Sequence, residues 1–276
     1  MSVTASFDGP KEVNDRYRVT VSGKGTHDTI VKNIELLRRE TGQPTGVEIT
    51  YSDAHLSRGL RPWDVLDYVY ENTGVPYGLL AFVENTDSVT MRLESRSLIP
   101  IIEEYARETV RRLALGRRPV DVNLAVMLAM TLNPNPTAAA FWCTTGLKTI
   151  AVTPDGDLYP CQIFVGHGMD MGNVRNGAEA SDILLIQKNF MAARKDHFDV
   201  CNHCYGKWSC GACTGSLYRE TGSIYPQSEH HCASHRAMIR AALLEAASLP
   251  AEQWATFVGE IASLLNANIA LDEEHV

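Results

Sequence analysis

The seven cysteines of this 276-residue chain all lie after residue 142, and four of them crowd into CNHCYGKWSCGAC, residues 201–213. An odd count, and a start MSVTASFDG with neither a basic nor an apolar leader segment, argue against a disulfide framework. Thiolates a few residues apart in a loop converge on one centre with little backbone strain, and soft sulfur selects zinc or iron–sulfur clusters. A zinc ribbon separates its two C-x-x-C turns by roughly 15–20 residues, whereas only five residues separate Cys204 from Cys210. The spacing favours a cluster, with zinc the main competitor. For Cys143 and Cys232 taken singly, a packed structural thiol is an equally ordinary reading.

The length allows two domains, each with its own core. A formal net charge of -8, with no basic run longer than Arg111-Arg112 or Arg117-Arg118, argues against nucleic acid as a partner. No apolar run approaches the ~20 residues of a membrane span. A reduced cytoplasm, where thiolates stay available to iron, is the expected location.

Residues 3 to 84 alternate short apolar strands with amphipathic helices, the pattern of a parallel α/β layer. Strands are expected at 3–7, 47–51 and 77–83. Helices are expected at 27–40, after a Thr26 cap and ending at Gly42, and from Pro62 to Gly74. Residues 97–131 read as helical, and Asn-Pro-Asn-Pro at 133–136 as a break. Asp155-Gly156 then marks a hairpin in KTIAVTPDGDLYP, with Cys143 and Cys161 on either side. A helix near 180–195, the cysteine knuckle, and helices at 233–248 and 251–267 follow.

The order Cys143-x12-Gly156-x4-Cys161, then Cys201-x2-Cys204-x5-Cys210, Cys213 and Cys232, resembles the seven-cysteine SPASM domain of radical S-adenosylmethionine (SAM) peptide-modifying enzymes. VTPDGDLYPCQIFVGHGMDMGNV is similar to the same domain. The resemblance implies two [4Fe–4S] clusters. Cys201, Cys204, Cys210 and Cys232 would hold the outer one. Cys143, Cys161 and Cys213 would hold the inner one, leaving an iron open toward substrate. The Cys210–Cys213 spacing, with only Gly211 and Ala212 between, is one residue shorter than the family's. His203, His230 and His231 read as polar neighbours, Trp208, Tyr205 and Tyr225 as aromatics that shield a cluster, and Asp170 and Glu229 as solvated carboxylates.

SFDGPKEVNDRYR and GKGTHDTIVKNIELL resemble the fourth strand, turn and helix of the radical SAM barrel. By that resemblance Ser6 and Arg18 take positions that help to hold SAM. The family's SAM-cleaving C-x3-C-x2-C loop has no counterpart in these residues. The expected fold is therefore α/β: the C-terminal half of a radical SAM (β/α) barrel at 1–96, a helical linker at 97–136, a SPASM domain at 137–240 and a C-terminal helix at 241–276. The implied function is maturation of a ribosomal precursor peptide through a thioether or related crosslink, with the chain inactive unless the first half of the barrel, and with it SAM, is supplied by another chain. Gln162 stands where the sulfatase-maturing branch has an aspartate that takes a proton, and an amide cannot do so. No catalytic residue is assigned. The alternative is a non-catalytic iron–sulfur or electron-transfer module serving a separate chain.

Overall fold

Alternating apolar and amphipathic segments become an all-parallel sheet in the computed structural model, with β1 (Thr4–Ser6), β2 (Gly46–Tyr51), β3 (Tyr77–Phe82) and β4 (Val120–Asp121) in that order across it. The structure describes residues 3–44, 46–83, 93, 95–132, 140–177, 180–225 and 229–273. In β2 every second side chain, Val47, Ile49 and Tyr51, is buried. That is the period-two pattern of a pleated strand. β4 is an addition to the three strands expected. Its two residues are too few to show a period, and its pairing of Tyr77 with Val120 and Gly78 with Asp121 interrupts the helical stretch expected over 97–131.

Among the described residues up to 132, six helices accompany the sheet: α1 (Lys11–Tyr17), α2 (His27–Thr41), α3 (Asp53–Leu56), α4 (Pro62–Thr73), α5 (Ser95–Ala114) and α6 (Val122–Leu132). Gly42 and Gly74 end α2 and α4 in the left-handed conformation that a carbonyl-capping glycine adopts, and Pro62 opens α4. The start of α2 differs from expectation. The Thr26 hydroxyl donates to the Arg18 carbonyl at 2.7 Å, and Asp15 Oδ1 instead accepts the His27 amide at 2.7 Å. A long-range carboxylate has taken the role expected of a neighbouring hydroxyl. The seven-residue α1 is too short to show a helical period in sequence.

The second half carries the hairpin β5 (Ala151–Val152) and β6 (Leu158–Tyr159), then α7 (Ala180–Ala192), α8 (Asp199–Asn202), α9 (Thr214–Thr221), α10 (Glu229–Ala247) and α11 (Ala251–Glu273). The chain divides into two compact units: residues 1–129 with 237–276, and residues 130–236. The first unit has a large core, including Phe7, Val47, Ile49, Leu98, Leu113 and Phe257, and its helix α10 is joined to α5 by Arg111, whose Nε donates to Glu245 at 2.8 Å. Among its described residues the second has a much smaller one of Cys161, Phe164, Phe190, Ala193 and Ile224. The break expected at 133–136 lies outside the described residues.

Candidate functional site

The hairpin is what places Cys161. At the turn, Gly156 has φ +92° and its amide donates to the Thr153 carbonyl at 2.9 Å; a side chain there would also meet Val174. Asn173 closes the structure from the other side. Its Nδ2 donates to the Asp155 carbonyl at 3.0 Å and to Asp157 Oδ1 at 2.7 Å. The Asp-Gly and Gly-Asn-Val signals, well separated along the chain but adjacent in space, therefore form one turn. Cys161 leaves β6 two residues on and begins a 3-10 turn, Gln162–Phe164.

Cys143, Cys161 and Cys213 meet around two threonines. The Cys143 thiol donates to Thr145 Oγ1 at 3.0 Å, and its sulfur lies 3.4 Å from Thr214 Oγ1. Burial pushes the Cys161 thiol up, while the Ile163 amide and the Thr145 hydroxyl favour its thiolate and Cys213 opposes it. Cys213 caps α9, its sulfur accepting the Ser216 amide at 3.4 Å. Gly215 allows this approach, because a Cβ there would stand 2.9 Å from Ile163, on the turn that follows Cys161. Thr145 is buried and touches two of the three cysteines. Sequence reasoning passed over it, and the only signal was its place two residues after Cys143.

Cys201, Cys204, Cys210 and Cys232 form a second group. Burial pushes the Cys201 thiol up to about 11, and Cys210, Cys232 and Cys204 act on it in the same direction. Burial also raises the Cys210 thiol, with Cys232 and Cys204 adding to the effect. The knuckle is wound by local bonds: the Cys204 amide donates to the Cys201 carbonyl at 3.1 Å, and the Cys210 amide to the Gly206 carbonyl at 2.9 Å. Lys195 is only 2% exposed, and the groups that most favour its charge are the sulfurs of Cys210, Cys201, Cys143 and Cys204. All seven cysteines are thiols rather than disulfides.

Among the described residues no three His, Cys, Asp or Glu side chains are drawn together tightly enough for a single metal ion. A four-iron cube takes each thiolate at a different corner, a wider spacing than the tetrahedron around one zinc. Two groups of thiols, one with four and one with three members, fit such cubes in number and in donor chemistry.

The neighbours of the knuckle are more exposed than the sequence suggested. Tyr205 is 57% exposed and donates its hydroxyl to the Arg236 carbonyl at 2.7 Å. Tyr225 packs against Phe198, and Trp208 lies under the Lys207 ammonium. His203 Nδ1 is 2.9 Å from the Asp199 carbonyl. Gln162 is exposed.

Ser6 is the last residue of β1, at the end where ligands bind parallel α/β sheets, and Arg18 is tied to Asp8 just beyond it. Ser6 is an exposed strand residue. Arg18 Nε and NH2 donate to the two oxygens of buried Asp8 at 2.7 and 2.9 Å, and NH2 also reaches Thr50 Oγ1 at 3.3 Å. Asp8 also accepts the Thr50 amide at 2.8 Å, and the Asp8 carbonyl lies 2.9 Å from His55 Nε2. Asp8 and His55 are thus the buried supports of this corner, and neither was singled out in sequence.

Residues 143–205 match the family model of the SPASM iron–sulfur cluster-binding domain. Among solved structures, the chain is similar to hexahistidine-tagged anSMEcpe with bound AdoMet, with a TM-score of 0.66 and 14% identity over 93% of this chain and 68% of that one. Native anSMEcpe with bound AdoMet and Kp18Cys peptide gives 0.64 and 15%, over 88% of this chain and 67% of that one. Native anSMEcpe with bound AdoMet gives 0.63 and 16% over the same shares. No curated protein matches the sequence. At these identities the structural likeness is one of fold. The chain contains a SPASM domain and has the α/β fold of a radical SAM/SPASM protein, with a parallel sheet in its first half.

Proposed function

We propose that the chain acts as a peptide maturase of the radical SAM/SPASM kind and binds two [4Fe–4S] clusters. The observation that carries this reading is the sorting of the seven thiols. Cys201, Cys204, Cys210 and Cys232 influence one another, while Cys143 and Cys161 share Thr145 and Cys213 acts on Cys161. The four-thiol group would hold the outer cluster and the three-thiol group the inner one, with an iron left for substrate. When bound, such clusters supply one-electron acceptance near a substrate. The chain's own residues orient the thiols, and the buried surroundings of Cys161 keep water from it.

The substrate proposed is a ribosomal precursor peptide. That anSMEcpe has been solved with peptides bound supports the substrate class, and Gln162 points away from proton abstraction at that position. Ser6 and Arg18 would help to hold SAM. A second reading, an iron–sulfur module serving a separate chain, is favoured by the outer side of β1, where Thr4 and Ser6 are exposed on a strand that pairs only with β2 among the described residues. Such an edge is a template for another strand.

Anaerobic reconstitution with iron and sulfide, followed by metal and sulfide counts, tests the cluster reading. About eight irons and eight sulfides per chain are expected, from two four-iron cubes. Cys204→Ala is expected to remove the outer cluster's absorbance and spare the inner one's. Zinc without sulfide would sink the reading.

A further inference from the structure

Lysine is among the residues least often fully buried, because its ammonium loses its hydration unless something anionic replaces it. Lys195 is buried to 2% exposure, so its head does not escape to water along its aliphatic stem. The turn that carries it explains how it is held. On either side, Arg194 and Asp196 satisfy each other at the surface, Nε to Oδ1 at 2.9 Å and NH2 to Oδ2 at 2.7 Å. The Phe198 amide donates to the Lys195 carbonyl at 3.3 Å, and Asn202 Nδ2 to the Asp196 carbonyl at 3.0 Å, which ties the turn to α8 and so to Cys201. Lys195 is left with an inward course on a braced loop.

The groups around it belong to both sets of thiols. Burial opposes its charge and lowers its pKa, and what acts against that is no carboxylate but the sulfurs of Cys210, Cys201 and Cys204 from one set and of Cys143 from the other. Neutral thiols return little to a buried ammonium. Thiolates bound to iron–sulfur cubes carry net negative charge and accept N–H···S hydrogen bonds, so the lysine has its counter-charge only when the sites are filled.

We propose that Lys195 is a fixed cation set between the two cluster sites, where it raises the reduction potential of both. The proposal rests on the cluster reading above. Reduction adds an electron to an already anionic centre, so a nearby cation stabilises the reduced form more than the oxidised one. Local charge and hydrogen bonds to sulfur are the levers by which a protein sets such potentials. Lys195 is thus a positioning and charge-tuning residue, not one that touches substrate.

The test uses the full chain, reconstituted anaerobically, as wild type, Lys195→Met and Lys195→Arg. Iron and sulfide counts are followed by redox titrations monitored by electron paramagnetic resonance. The methionine variant is expected to keep wild-type iron and to shift both midpoint potentials negative, and the arginine variant to return both toward wild type. Full iron with unchanged potentials overturns the proposal, and a shift confined to one cluster overturns the placement between two. Should the methionine variant fail to load, an arginine variant that loads with near-wild-type potentials supports a requirement for charge, and an arginine variant that also fails reduces Lys195 to a packing role and overturns it. A wild-type chain that takes up no iron fails at the underlying reading instead, a result the metal count alone reveals.

Discussion

His55 is fully buried, and its two ring nitrogens are both engaged: Nδ1 accepts the Ser52 amide at 3.1 Å, and Nε2 lies 2.9 Å from the Asp8 carbonyl, to which it donates as the neutral tautomer. Burial lowers its pKa below the usual histidine value, against the pull of Asp8. The unfolded chain therefore binds a proton here more readily than the folded one. The contribution is fully present above about pH 6.5 and is lost as the pH falls below that value toward the folded pKa. Urea unfolding at about pH 7 and about pH 5.5, on either side of that value, should show lower stability at the more acidic pH, and His55→Asn should remove part of that slope, whatever its effect on stability at neutral pH. Asp121 makes a comparable local commitment. Its carboxylate accepts the Leu80 amide at 2.9 Å, the Leu124 amide at 2.8 Å and the Tyr105 hydroxyl at 2.9 Å, tying β3, α5 and the start of α6 to β4. Asp121→Ala leaves those buried donors without their acceptor, at about 1–3 kcal/mol for each donor that water cannot reach, measurable as a lower urea midpoint with unchanged slope.

At the scale of elements, the inner thiol group depends on how closely α9 lies against the turn after Cys161. Gly215→Ala puts a methyl 2.9 Å from Ile163 Cβ, an atom that the backbone fixes and that no rotamer change can move away. The helix must shift, and Cys213 at its cap shifts with it. The expected outcome is loss of about half the iron on reconstitution, with the cluster of Cys201, Cys204, Cys210 and Cys232 retained, read from iron counts and from the surviving electron paramagnetic resonance signal. Equal loss from both sites would mean that α9 positions more than the inner group. The hairpin turn is similarly exposed to substitution. Gly156→Val combines a positive φ with a contact to Val174, and should lower the stability of residues 130–236 without altering the sheet unit.

For the whole molecule the contrast between the two cores decides what removal of iron would do. The sheet unit buries a wide set of aliphatic and aromatic side chains, whereas among the described residues of 130–236 the core cluster is small, built on Cys161, Phe164, Phe190, Ala193 and Ile224. Small cores depend on cross-links or metal for stability, because a ligand bound only by the folded state adds its binding free energy to folding. Chelation of iron from the reconstituted chain should therefore speed amide hydrogen exchange across the described residues of the 130–236 unit and leave β2 and β3 protected. Uniform loss of protection would instead mean that the two units fold as one.

The sequence by itself determined the ligand chemistry and much of the framework. Cysteine spacing is a local property, and so are the Asp-Gly turn, the glycines that end α2 and α4, the proline that opens α4 and the alternation in GVEITY; each acts through neighbours along the chain and can be read there. Only the tertiary structure decided that Thr145 joins Cys143 to Cys161, that Asp15 rather than Thr26 caps α2, that Asp8 and His55 brace Arg18, and that Lys195 is buried where cysteine sulfurs favour its charge. These depend on contacts between residues far apart in the chain, and on which side of a short turn faces inward. No period or local propensity carries that information, because it is set by the packing of whole elements.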